Sequence, residues 1–164
     1  RPGAATRLKD TPNHEPSMAF PAEIARQFTE EKIAFVKRMN LKAEVLESGF
    51  VRLRVPLAGN ENHIGTMYAG ALFTLAEIPG GALFITSFDA TKFYPIIKEM
   101  NLRFRRPATG DIVVEARISD AEIERLQTEA QTHGKADYTL ELQLIDSHGE
   151  VVALSRGVYQ LRKH

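Results

Sequence analysis

The sequence has no cysteine among its 164 residues. This excludes a disulfide framework, a thiolate nucleophile and a cysteine-ligated zinc site, and it is typical of proteins from a reducing compartment. An excess of one charge is also absent, because 21 lysines and arginines balance 21 aspartates and glutamates. A balanced chain gives no support to a protein that works on nucleic acid or on an anionic membrane, so any anionic ligand must be held by local charge.

Long apolar runs are lacking as well. The longest, around Ala82 to Ile85, falls far short of the ~20 residues that span a bilayer. No secretory h-region precedes it, so we expect no membrane span and a cytoplasmic location. The histidines have no metal-ligand spacing, so we also expect no metal.

What is present is the composition of a folded protein, with 43% apolar and 26% charged residues. The N-terminal stretch differs from the rest, since four of the eight prolines lie in the first 21 positions and the first methionine is Met18. We expect residues 1–20 to be a disordered tail or a remnant of expression or processing. Residues 21–164 should form a single domain.

Hydrophobic spacing predicts the order of elements in that domain. Ala22 to Asn40 has apolar residues near helical spacing, and two strands follow around a turn at Ser48-Gly49. Gly70 to Phe84 is apolar on nearly all sides, which predicts a buried helix with a kink or an early stop at Pro79-Gly80-Gly81. Asp120 to Thr132 is predicted to be a short surface helix or a long connection.

Four alternating runs predict four further strands, namely Met100 to Phe104, Ile112 to Ile118, Tyr138 to Leu144 and Val152 to Leu161. Each run has one apolar face, as strands do in an antiparallel sheet with one packed and one exposed side. The apolar helix is the natural element for that packed face to wrap. We therefore expect an α+β fold in which an antiparallel sheet surrounds a central helix.

One segment carries most of the functional information. It resembles the hotdog-fold acyl-CoA thioesterases of the phenylacetate-pathway type, whose pattern is an asparagine, five residues, His-Gly-Gly, and an acidic residue seven positions after the last glycine. Here Asn62 occupies the asparagine position, Tyr68-Ala69-Gly70 the His-Gly-Gly position, and Glu77 the acidic position. The resemblance covers Leu41 to Leu161.

The resemblance implies a hotdog fold that hydrolyses an acyl-CoA or related thioester, with no cofactor beyond the coenzyme A of the substrate. It implies a homodimer or a dimer of dimers, in which Met100 to Arg106 pairs with its copy across a two-fold axis. The implied catalytic residues are Glu77, Asn62, Gly70 and Tyr68. The implied substrate-binding residues are Ala69, Gly65, Met67, Arg103, Arg105 and Arg106.

Glu77 is the candidate general base or nucleophile. It lies two helical turns from Gly70 on an apolar helix, where an unpaired carboxylate is too costly to be incidental. As a base it would activate water, and as a nucleophile it would form an anhydride. The structural alternative is that it reaches the surface or pairs with an arginine such as Arg103.

The other candidates have structural alternatives too. The Gly70 amide and the helix dipole would polarise the thioester oxygen, or Gly70 would only permit a tight loop-to-helix transition. Asn62 would hold water or the thioester, or would cap a turn. Arg105 and its basic neighbours would contact coenzyme A phosphates, or would form the solvent face of a strand.

Tyr68 and Ala69 leave a second function open, because the family has histidine and glycine at these positions. A phenol stays protonated near neutral pH, so Tyr68 can orient a carbonyl or pack but cannot titrate as an imidazole does. The alternative to a thioesterase is therefore a non-catalytic hotdog protein that binds acyl-CoA or lipid.

Overall fold

The computed structural model describes residues 20–164, so residues 1–19 of the predicted tail lie outside the described residues. The elements follow in chain order: helices α1 (Ala22–Glu30) and α2 (Ala34–Arg38), strands β1 (Lys42–Glu47) and β2 (Phe50–Val55), helix α3 (Ala69–Ser87), strands β3 (Phe93–Phe104) and β4 (Ile112–Arg117), helix α4 (Asp120–His133), and strands β5 (Lys135–Ile145) and β6 (Val151–Lys163).

The six strands form one antiparallel sheet in the order β1-β2-β4-β5-β6-β3. Helix α3 contacts all six of them. Its side chains are buried on most sides, and every second residue of β5 from Ala136 to Leu144 is buried toward it. The apolar helix is therefore removed from water by a sheet that wraps it. The predicted α+β hotdog fold is confirmed.

Helix α3 continues through Pro79 to Ser87, so the predicted early stop is wrong. Proline lacks a backbone N–H, which leaves the Leu75 carbonyl without its usual helical donor. Close packing against the sheet compensates for this lost hydrogen bond, because Gly80 has no Cβ and lies directly against the ring of Tyr159 in β6. By length and composition alone the 19-residue helix could cross a bilayer, but 67% of its most apolar stretch is buried inside the protein.

The N-terminal region is not the single helix predicted over Ala22 to Asn40. It breaks after Glu30, and α2 begins at Ala34. The buried carboxylate of Glu30 accepts a hydrogen bond from the backbone N–H of Ala43 in β1 at 3.0 Å. Local spacing does not reveal the break, because the group that Glu30 contacts belongs to another element.

Strand β3 lies at one edge of the sheet and is longer than predicted, since it begins at Phe93 rather than Met100. A register shift between Ile97 and Glu99 breaks the alternation and conceals its first half. Within residues 20–164, β3 pairs with β6 on one side and with no strand on the other. This open edge supports the expected pairing with a second copy, which stays a prediction.

The segment after β4 is a helix rather than a long connection. The Ser119 Oγ accepts a hydrogen bond from the backbone N–H of Glu122 at 3.1 Å and caps the start of α4. Gly134 ends the helix with a φ of +82°, a conformation that favours glycine.

Gly80 and Gly81 provide a matched pair of substitutions in α3. Gly80→Ala would drive a methyl group into the Tyr159 ring, and we expect it to destabilise the fold by about 2 kcal/mol or more. In Gly81→Ala the new methyl group would meet Phe28 at 3.8 Å, an ordinary contact. This second variant should be neutral or stabilising by up to ~1 kcal/mol through helix propensity. Urea denaturation measures both, and equal effects would contradict the close helix–sheet packing.

Candidate functional site

The start of α3 is fixed by the loop that precedes it. The backbone N–H of Tyr68 donates to the Asn60 carbonyl at 2.8 Å. The backbone N–H of Met67 donates to the carbonyl of Ala108, in the β3–β4 connection, at 2.9 Å. The first hydrogen bond closes the loop on itself, and the second attaches the loop to the connection that follows β3.

The first turn of α3 leaves two backbone donors available. The amides of Ala71 and Leu72 both donate to the Tyr68 carbonyl, at 3.0 and 3.2 Å. The amides of Ala69 and Gly70 have no hydrogen-bond partner within residues 20–164, as is usual for the first residues of a helix. These two N–H groups, at the positive end of the helix dipole, can bind a developing negative charge.

The Tyr68 ring lies beside Gly70. A Cβ at Gly70 would come within 2.5 Å of the ring atom Cε1, so the glycine leaves room for the aromatic side chain. Tyr68 is 57% exposed, and its hydroxyl has no partner in the described part of the chain. The structure therefore places Tyr68 at the helix start with a hydroxyl that is available to a ligand.

Asn62 organises the loop through its side chain. Its Oδ1 accepts hydrogen bonds from the backbone N–H groups of Ile64 and Thr66, at 3.0 and 3.1 Å, and its Nδ2 donates to the Thr66 Oγ1 at 2.8 Å. Gly65, with a φ of +85°, completes the turn. The turn-forming alternative for Asn62 is therefore realised, and its contact with substrate stays a prediction.

A cavity of about 370 Å³ lies between this loop and the end of β3. Five of the residues predicted for the site line it: Asn62, Met67, Ala69, Arg105 and Arg106. Thr66, Leu72, Phe104, Pro107 and Ala108 complete its wall. Phe104 was not among the predicted site residues, and the signal for it is an aromatic residue at the end of an edge strand beside two arginines.

The three predicted arginines do not lie together. Arg106 forms an exposed ion pair with Glu150 at 3.0 Å. Arg105 is exposed beside it and has no carboxylate within ion-pair distance among residues 20–164. Arg103 lines a different cavity, with Asn101 and Arg156, on the sheet face that points away from α3. Arg105 is thus the cation best placed to meet an anionic ligand in the first cavity.

Glu77 lies on the face of α3 that the sheet leaves open. Gly70, Phe73, Thr74 and Glu77 share this face at helical spacing, and Phe73 is 43% exposed. The Glu77 carboxylate is half-buried and has no hydrogen-bond or ion-pair partner in the described chain, so the predicted alternative of a pair with Arg103 is not formed. Burial raises the pKa of Glu77 above its usual value. A carboxylate with a raised pKa is a stronger base once ionised.

No three histidine, aspartate or glutamate side chains come close enough to hold a metal ion within residues 20–164. The expected absence of a metal or other cofactor stays a prediction.

Comparison with known proteins identifies the family of this chain and solved structures that share its fold. Residues 22–160 match the family described as "Domain of unknown function (DUF4442)". A solved Pseudomonas aeruginosa protein of unknown function, described as a probable thioesterase, is 69% identical. It covers 90% of this chain and 99% of its own, with a TM-score of 0.86. No curated protein matches the sequence significantly.

Two more distant solved structures share the fold. One is a thioesterase from Haemophilus influenzae, 12% identical, covering 88% of this chain and 92% of its own with a TM-score of 0.68. The other is a variant of a thioesterase from Staphylococcus aureus, 20% identical, covering 79% of this chain and 99% of its own with a TM-score of 0.61.

The sheet that wraps a central helix, with these relatives, defines the class as the hotdog-fold thioesterases, and the resemblance predicted from the sequence is confirmed. Within that class the chain belongs to the DUF4442 family.

The burial of Glu77 gives a prediction about stability. A raised pKa means that the folded state holds the proton more tightly than the unfolded chain, so stability from this group is full at low pH and is lost as the pH rises through the folded-state pKa. Glu77→Gln carries no charge. It should raise the melting temperature by a few degrees at about pH 8 and lose that advantage near about pH 4.

Thermal unfolding followed by circular dichroism at both pH values measures this difference. A melting temperature below that of the wild type at the higher pH would show instead that Glu77 neutralises a buried cation.

Proposed function

We propose that the protein hydrolyses an acyl-CoA or closely related thioester, with Glu77 as general base or nucleophile. The comparison with known proteins supports thioester hydrolysis in general. One observation carries the finer assignment. A half-buried carboxylate without a partner in the described chain lies on the open face of α3, two turns from the available amides of Ala69 and Gly70.

The helix start would stabilise the charge that develops in the reaction. The amides of Ala69 and Gly70 would donate to the thioester oxygen as it becomes an oxyanion. The exposed hydroxyl of Tyr68 would add a third donor to the same oxygen. Asn62 would hold the loop in place and offer its second Nδ2 hydrogen to water or substrate.

Glu77 would supply the base. It would take a proton from water while the oxygen of that water adds to the carbonyl carbon, and it would return the proton to the sulfur as the C–S bond breaks. In the nucleophilic alternative, Glu77 would attack the carbonyl and release the thiol, and water would then hydrolyse the anhydride. Both routes give a free acid and a thiol.

The cavity beside the loop supports coenzyme A as the leaving group. Arg105 and Arg106 at its rim would meet phosphate oxygens, while Met67 and Ala69 would border the pantetheine arm. Gly65 lies in the neighbouring turn of the loop and not in the cavity wall. The open edge of β3 next to this cavity supports a homodimer or a dimer of dimers in which the site lies near the boundary between copies.

A non-catalytic protein that binds acyl-CoA or lipid is the second candidate. The observation that favours it is Tyr68, which stands at the helix start where the thioesterase pattern has histidine. The two candidates share the same cavity and differ in what Glu77 does.

Glu77→Gln separates them. It keeps the shape and hydrogen bonding of the side chain but removes its basicity, so kcat should fall by roughly 10²- to 10⁴-fold while acyl-CoA binding survives. In the wild type, the acid limb of kcat/KM should lie above the usual pKa of glutamate, because activity needs the ionised form of a group whose pKa is raised.

Release of the coenzyme A thiol, followed with a thiol reagent, measures the rate without background because the chain has no cysteine. Glu124→Gln, on the exposed side of α4, is the matched control and should leave the rate unchanged. Full activity in Glu77→Gln would remove the catalytic assignment, and measured acyl-CoA binding without hydrolysis in the wild type would favour the second candidate.

The arginines give a test of the leaving group. Arg105→Gln should raise KM for an acyl-CoA by roughly 5- to 20-fold, the loss of one charge-assisted hydrogen bond. The same variant should leave KM unchanged for the corresponding acyl-N-acetylcysteamine thioester, which has no phosphate. Arg103→Gln should change neither value, because Arg103 faces away from the cavity. Equal effects on both substrates would contradict a phosphate contact.

A further inference from the structure

Tyr159 connects the sheet to the helical turn that carries Glu77. Its ring is buried on β6, with 2% of the residue exposed, and its hydroxyl donates to the backbone carbonyl of Glu77 at 2.9 Å. The ring of the same side chain lies directly against Gly80, where an added Cβ would clash with it. One side chain therefore contacts α3 at two positions three residues apart.

This turn is the weakest part of the helix by sequence. Pro79 contributes no N–H, so the carbonyl of Leu75 lacks its helical donor. Gly80 and Gly81 follow directly, and glycine disfavours helix by about 1 kcal/mol each relative to alanine. This turn has reduced helical hydrogen bonding and low helix propensity, and the hydrogen bond from Tyr159 in the sheet to the Glu77 carbonyl stabilises it.

The Tyr159 ring itself has little freedom to move. It lies between Gly80 of α3 and Gly157 of β6, and a Cβ at Gly157 would come within 2.8 Å of its Cε2. It stacks on Tyr138 of β5, with ring centroids 5.4 Å apart and an 18° angle between the planes. Because the ring is fixed on both sides, the position of its hydroxyl is fixed relative to the sheet.

We propose that Tyr159 is a positioning residue for Glu77: its hydroxyl holds the turn around Pro79 so that the carboxylate points from the open face of α3 toward the start of the helix. This inference rests on the catalytic role proposed for Glu77. The Tyr159 hydroxyl bonds to the backbone carbonyl of Glu77 and would therefore act on its carboxylate through the backbone. A small rotation of this turn would move the carboxylate away from the thioester, and catalysis is sensitive to such displacements.

Tyr159→Phe tests the proposal, because it removes the hydroxyl and keeps the ring. We expect kcat to fall roughly 3- to 10-fold, the effect of one hydrogen bond, with KM nearly unchanged. Amide hydrogen exchange should accelerate selectively at Gly80 and Gly81, whose N–H groups belong to the turn that loses its tie.

Tyr138→Phe is the matched control. Tyr138 is stacked on the same ring and equally buried, but its hydroxyl has no hydrogen-bond partner in the described chain. Removing that hydroxyl should leave kcat and the exchange of Gly80 and Gly81 unchanged, and it should not lower the melting temperature. In the wild type, these two amides should exchange only as fast as the most protected core amides, a measurement that needs no variant to fold.

Three results would overturn the proposal. The first is Tyr159→Phe with wild-type kcat. The second is exchange that accelerates uniformly through the core, which would indicate a general packing role. The third is rapid exchange of Gly80 and Gly81 in the wild type. If Glu77→Gln is fully active, the proposed function fails together with this inference. If Glu77→Gln is inactive while Tyr159→Phe matches the wild type, the inference alone fails.

Discussion

Burial of helix α3 by the sheet is the constraint on which the rest of the structure depends. The helix is apolar on nearly all sides, and it contacts all six strands. Strands β2, β4 and β5 alternate because one face of each is buried in the interior that contains this helix, and Gly80 lies where the Tyr159 ring of β6 comes closest to the helix. The candidate site lies on the face of α3 that the sheet leaves open.

The open face of α3 combines partial enclosure with access for a ligand. It is sufficiently enclosed to raise the pKa of the Glu77 carboxyl, yet it leaves Phe73 and the first turn of the helix exposed to a ligand. The amides of Ala69 and Gly70 have no acceptor within the helix, because no helical turn precedes the first residues of a helix. A base and an oxyanion donor site are thus placed on one element, two turns apart.

Local sequence patterns predicted the helices and strands correctly where contacts between residues close in the chain determine the structure. Alternation gave the strands, and apolar residues on all sides gave the buried helix. The predictions were wrong where a distant contact intervened. Helix α1 ends at Glu30, whose carboxylate binds the backbone N–H of Ala43. The register shift near Ile97 breaks the alternation that would have indicated the first half of β3. Packing of Gly80 on Tyr159 allows α3 to continue past Pro79.

The sequence by itself determined the spacing of Asn62, Gly70 and Glu77, because their separation along a loop and a helix is covalent and the helix places Gly70 and Glu77 on one face. Only the tertiary structure decided which arginines join them. Arg103 lies within β3 and faces away from α3, whereas the chain leaves the sheet after Phe104 and brings Arg105 to the loop cavity. Tyr159 is 82 residues from Glu77 in the chain, and only the packing of β6 against α3 brings its hydroxyl to that turn.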